Sequence, residues 1–238
     1  YYDILTSHIG ISGQKDDLEL FHGSTKNLLP PLELSKQGSH FLNRYKRIRP
    51  FFQKQHIYVG YPRLAVLSVD FNGREKCAYD NLEFFQPRIS SIYSPKYTLR
   101  SLTEKGGIQY LPGHLIERYE EKNDRVIVFT KNLKTGEMIK FQCKKLVLCL
   151  GALNTSRMVL FSNGDYHMKL RIVENPCSFT PLFSFRRVGM PLEKRSYSSQ
   201  LNIFYSGPCS TKPVVGMIYG LDGLMRSDIM FNFPLSLR

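Results

Sequence analysis

The alternation of apolar and polar positions is clearest between residues 108 and 162. Residues 114–120 (HLIERYE), 125–130 (RVIVFT) and 138–143 (MIKFQC) alternate or are rich in β-branched and aromatic residues, and the turn-like links KND and KNLKTGE separate them. The pattern predicts three short antiparallel strands in succession, a meander. A short strand at 108–111 (IQYL) and a Pro112-Gly113 bend are predicted ahead of it. Behind it, 145–150 (KLVLCL) is a continuous apolar run, which suits a strand covered on both faces. The run ends at Gly151, and Asn154 or Thr155 is placed to cap a helix to about Ser162, with Met158, Val159 and Phe161 on its apolar side.

The rest of the chain is patterned more weakly. Residues 1–22 fit a short helix followed by a polar stretch. Pro30, Pro31, Pro50 and Pro62 punctuate residues 23–63, which read as irregular, without a persistent helix. Residues 63–69 (RLAVLSV) read as a strand, 70–95 as loop, and 96–105 as a helix closed by Gly106-Gly107. Beyond residue 163, the segments 170–174, 181–188, 200–205 and 213–219 read as strands of an antiparallel sheet. The fold class is therefore mixed α/β (α+β).

Composition narrows the function classes. An apolar content of 42% and a charged content of 22% place the chain among globular proteins. Lys and Arg number 33 against 20 Asp and Glu, a net charge of +13. The excess is scattered and no zinc-finger, RRM or KH signature accompanies it, so nucleic acid is not the expected partner. Its densest cluster, NRYKRIRPFF around Arg44–Arg49, is a candidate phosphate or lipid-headgroup patch. The five cysteines (Cys77, Cys143, Cys149, Cys177, Cys209) form no CxxC pair, which argues against a zinc site or a disulfide framework. Cys143 and Cys149 read as small apolar strand residues, and a reducing compartment, the cytoplasm, is expected. No apolar stretch approaches the ~20 residues that span a bilayer. YYDILTSHIGISG lacks the regions of a signal peptide, the chain begins without Met, and it stops inside an apolar run. A central piece of a longer protein is the expectation.

A buried strand that ends on glycine and turns into a helix has a chemical use. Glycine lets a ligand approach the backbone, and the helix start offers unpaired N–H groups and a positive dipole end. The stretch KKLVLCLGALNTSRMVL (144–160) resembles the glucose–methanol–choline family of flavin oxidoreductases, in the branch similar to cholesterol oxidase and sugar dehydrogenases, with Ser156 where a Pro is usual. GGIQYLPGHLIERYEE (106–121) resembles the family segment that ends one parallel strand and opens the meander. Residues 63–99 look like a region rich in Cys and Gly in relatives; of those cysteines only Cys77 remains. The resemblance covers roughly residues 60–165.

The resemblance implies a partial FAD-binding, Rossmann-like domain over 63–165, after a lead-in over 1–62 and before part of an antiparallel substrate-binding sheet over 166–238. It implies FAD as cofactor of the complete protein and an alcohol or sugar oxidised at a CH–OH carbon. Ile116 stands where the family offers backbone to adenine; Gly151 and Ala152 stand where it approaches the adenosine; Arg157 matches a family Arg near the helix start. Arg186, Tyr197, Gln200 and Asn202 are placed to face substrate.

Other parts are missing from this sequence. It holds no GxGxxG turn, and GISG at 10–13 has the wrong spacing and no apolar strand before it. The acidic ribose ligand that would follow such a turn is missing too. None of the six histidines lies in the family's catalytic context, His114 reads as a surface or cap residue, and no catalytic residue is assigned. FAD affinity of this chain alone is therefore expected to be weak or absent. The apolar run 145–150 is expected to expose an edge. The alternative is a non-catalytic relative or basic scaffold for an anionic partner.

Overall fold

The computed structural model describes residues 1–80, 90–178, 180, 196–208 and 212–220. In chain order the elements are α1 (Tyr2–Ile9), β1 (Ile11–Ser12), α2 (Glu19–His22), β2 (Leu28–Leu29), α3 (Lys36–Arg47), α4 (Arg49–Lys54) and β3 (Ile57–Gly60). There follow α5 (Pro95–Glu104), β4 (His114–Lys122), β5 (Arg125–Asn132), β6 (Met138–Cys143), α6 (Ala152–Asn163), β7 (Ser199–Tyr205) and β8 (Val214–Tyr219). Helices with antiparallel sheets make the fold mixed α/β. Two compact units are formed, Tyr1–Thr98 with Ser184–Arg238, and Leu99–Phe183.

The first unit is built on the antiparallel sheet β3-β7-β8. Its register runs from Ile57 opposite Tyr205 to Gly60 opposite Asn202. Helix α3 exists despite the prolines around it. Ser35 caps it, its Oγ accepting the Gly38 N–H at 3.0 Å, and Gly38, Leu42 and Tyr45 form its buried seam. Pro50 falls in the first turn of α4, where a helix needs no N–H donor. The irregular reading of 23–63 is thus corrected: proline at a helix start is compatible with the helix. Leu42, Tyr45, Val59 and Leu201 form one core cluster, flanked by Leu34, Phe52, Ile57, Ile203 and Ile218. Leu32, Val66, Cys77 and Tyr197 form another.

The Asp17 carboxylate ties α3 and α4 together. It accepts the Tyr45 hydroxyl at 2.6 Å and forms an ion pair with Arg49. Burial, then the hydrogen bond to Asp17, push the Tyr45 phenol up to about 12. A raised phenol favours the neutral form on folding, so its stabilisation is intact below pH 10 and is lost as the pH climbs towards about 12. Tyr45→Phe is expected to cost about 1.5 kcal/mol at neutral pH. It should also flatten the alkaline fall in the urea midpoint, which unfolding curves across this pH range would measure.

Two other expectations are corrected in this unit. Residues 63–69 form no strand; Leu64 and Val66 make only isolated bridges, to Ser12 and Ile92. Gln200 does not face an open substrate site. It is 1% exposed and its side-chain oxygen accepts the Ser35 N–H at 2.7 Å. Tyr197 is a core residue and Asn202 is buried. Arg186, Cys209 and the segment 181–188 lie outside the described residues.

The second unit is the meander β4-β5-β6 with α6 packed on β4. The alternation predicted it, and the strand ends differ by at most two residues. Asn123 closes the first hairpin at φ 55°, a conformation asparagine tolerates. The Arg118 guanidinium lies 3.8 Å from the centre of the Phe129 ring. Ser162 Oγ accepts the Tyr119 N–H at 3.0 Å, fixing α6 against the outer edge of β4.

Three predicted strands, 108–111, 145–150 and 170–174, are absent. Apolar content makes a segment strand-like, but a strand needs a hydrogen-bonded neighbour, and none of the described residues supplies one. The 145–150 run is not covered on both faces: Val147 is 80% exposed, and Cys149 is exposed rather than packed. The expected strand edge is therefore not formed: the run lies outside any sheet, with Val147 and Leu150 exposed.

Candidate functional site

Gly151 sits at φ 78° and serves as the N-cap of α6. That left-handed value favours glycine, and a Cβ added there would meet no atom within 4 Å. The bend is bare. No side chain caps the helix. This corrects the capping role given to Asn154 or Thr155: both lie inside the helix, which starts three residues earlier than Thr155, at Ala152. The first intrahelical bond runs from the Thr155 N–H to the Gly151 carbonyl at 2.9 Å. The N–H groups of Ala152, Leu153 and Asn154 precede that ladder, as at any helix start. The macrodipole adds a partial positive charge there.

Ala152 and Arg157 are exposed on α6, and Arg157 has no ion-pair partner among the described residues. Ile116 is half-buried on β4, paired with Thr130. The register slips between Ile116 and Arg118, leaving Glu117 as an extra residue. Such bulges re-aim backbone groups at sheet edges, and β4 is an edge strand of its sheet. Sequence reading did not find this bulge; the alternation of HLIERYE passes through it unmarked. His114 lies at the start of β4, its Nδ1 3.1 Å from the Pro112 carbonyl oxygen, in a turn-closing position.

Gly151, Ala152, Arg157 and Ile116 all belong to the second unit. The structure fixes them on one helix-on-strand assembly but shows no hydrogen bond among them. Gly151 lies about 16 Å along α6 from Ser162 at the usual helical rise. Ile116 lies about 10 Å along β4 from Tyr119. The surface around Gly151 is open: Leu150 is 37% exposed and Leu153 74%. A depression of about 310 Å³ lies elsewhere, in the first unit, lined by Asp70 to Glu75. The bend is therefore neither plugged nor enclosed.

A bare glycine, an uncapped helix start and a bulged edge strand suit the adenosine end of a dinucleotide, which needs close backbone approach and N–H donors. They supply no nucleophile and no acid–base pair. Among the described residues no cluster of His, Cys, Asp and Glu could hold a metal ion, and no helix is long and apolar enough to cross a membrane. Compared with known proteins, the chain matches no family model and no curated protein.

Proposed function

We propose that the second unit forms the adenosine-side surface of an FAD-dependent oxidoreductase acting on CH–OH groups of an alcohol or sugar. The observation that carries this is the unobstructed Gly151 turn at the uncapped start of α6, directly after a meander whose edge strand holds the helix. Gly151 and Ala152 would lie against the adenosine, and Ile116 would present backbone to the adenine edge. Arg157, one and a half turns along α6, would add positive charge near the nucleotide. The flavin, when bound, would supply hydride acceptance from a carbinol carbon. The residues of this chain would bind and orient the nucleotide end and leave the chemistry to other groups.

The exposed apolar run 145–150 supports the same reading. Val147 and Leu150 form part of a segment whose composition suits two-sided cover. In this proposal, a parallel nucleotide-binding strand pairs with it. The test is direct. The coding sequence on either side should encode a GxGxxG turn upstream and a histidine-bearing segment downstream. The protein expressed with that sequence should purify yellow and bleach on adding its alcohol or sugar. Colourless protein, or flanks without either feature, would contradict the proposal.

A further inference from the structure

A different surface carries a second inference, independent of the flavin reading. From Lys36 to Val69 the chain contains no Asp or Glu. That span holds α3 and α4 and their cations Lys36, Arg44, Lys46, Arg47, Arg49 and Lys54. Helix α3 buries Gly38, Leu42 and Tyr45 against the sheet unit. His40, Arg44 and Arg47 follow one another at spacings of four and three on the exposed side, so they form one stripe along the helix. Arg49 is neutralised by Asp17. Arg44, Lys46, Arg47 and Lys54 have no acidic partner among the described residues.

Apolar side chains interrupt this basic surface. Phe51 is 62% exposed, Ile48 41% and Phe41 39%, on or between the same two helices. Fold stability does not call for them there, since Leu42, Tyr45 and Phe52 already supply the inward contacts of this pair. We infer that α3 and α4 form a docking surface for an anionic lipid bilayer, with the cations held at the headgroups and Phe51 and Ile48 dipping into the acyl boundary. Basic residues interleaved with exposed apolar ones on a surface helix pair have this partner chemistry. Single-stranded nucleic acid shares the charge requirement, but its bases stack on aromatic faces. An exposed isoleucine offers no such face, whereas an acyl boundary accepts it.

The test uses the full 238-residue chain and sedimentation with vesicles of phosphatidylcholine containing roughly 30% phosphatidylserine, against pure phosphatidylcholine. The protein should bind the acidic vesicles selectively. Each basic residue near an anionic surface contributes about fivefold in affinity, so Arg44→Glu with Lys46→Glu and Arg47→Glu should lose at least about 100-fold. All three side chains are exposed, so the fold should persist, and an unchanged circular dichroism spectrum checks that. Phe51→Ser, which leaves the charge unchanged, should weaken binding about tenfold. Equal binding to both vesicle types overturns the proposal. So does an equal loss from Lys134→Glu with Lys144→Glu and Lys145→Glu, which would show that net charge alone is read. Full affinity in Phe51→Ser, with single-stranded DNA displacing the protein from vesicles, would assign the surface to nucleic acid instead.

Discussion

Replacing Gln200 by leucine is expected to remove about 4 kcal/mol of stability, a large share of what a domain of ordinary stability has. The residue is 1% exposed and every polar atom of its side chain is used. Its oxygen accepts the Ser35 N–H at 2.7 Å; its amide nitrogen donates to Ser196 Oγ at 3.0 Å and to the Tyr197 carbonyl. Leucine matches its size but removes all three bonds, and a buried partner left unsatisfied costs about 1–3 kcal/mol. The damage reaches α3, because Ser35 is also the cap of that helix. Gly38 closes the same arrangement: a Cβ there would stand 2.5 Å from the Gln200 oxygen. Gly38→Ala should therefore destabilise in the same direction. Urea unfolding, followed by far-ultraviolet circular dichroism, measures both; an unchanged midpoint in Gln200→Leu would contradict the network.

The second large effect is expected at Gly60, where alanine should cost about 3 kcal/mol. The added methyl would overlap the Asp16 carboxylate. That carboxylate cannot swing aside freely. Its oxygens accept the Tyr61 N–H at 2.7 Å and the Leu18 N–H at 3.0 Å, tying the segment before α2 to the end of β3. Fitting the methyl means breaking one of these bonds or displacing β3 from β7. The origin of the effect can be isolated by a double-mutant cycle. With Asp16→Ala already present, Gly60→Ala should cost at least about 1 kcal/mol less than in the parent. Equal cost in both backgrounds would show that the carboxylate is not what excludes a side chain.

Both effects rest on contacts between distant parts of the chain, and these are what the sequence shows least. The meander was legible because two of its strands alternate, the middle one is rich in β-branched and aromatic residues, and its neighbours follow directly along the chain. Helix α5 was legible from the segment 96–105 and its closing glycines. Strand β3 has four residues and pairs with β7, whose sequence lies far downstream, so local pattern carries no sign of it. Helices α3 and α4 were obscured by Pro50, which marks a helix start rather than a break. The runs 108–111 and 145–150 mislead in the opposite sense. Their composition satisfies every requirement of a strand except a partner, and only coordinates report a partner.

The candidate site divides in the same way. Gly151 was readable, since a glycine between an apolar run and a helix is a local signal. That its turn has positive φ and stands clear of side chains is a property of the fold. The start of α6 at Ala152 was misplaced because Asn154 and Thr155 are good capping residues. The helix instead begins before them and leaves its first turn without a side-chain cap. Gln200 and Asn202 looked like polar residues available to a substrate; burial gives Gln200 to the α3 cap instead.

The proposed function requires that the backbone at Gly151 accept an adenine nucleotide. Its most direct test is an amide chemical-shift titration of the labelled chain with ADP, recorded in parallel for Gly151→Val. Weak, saturable shifts confined to the amides of residues 151–155 and to Ile116 and its strand neighbours, lost in the variant, are the predicted result. Shifts elsewhere, or none at these amides while the variant remains folded, would contradict it.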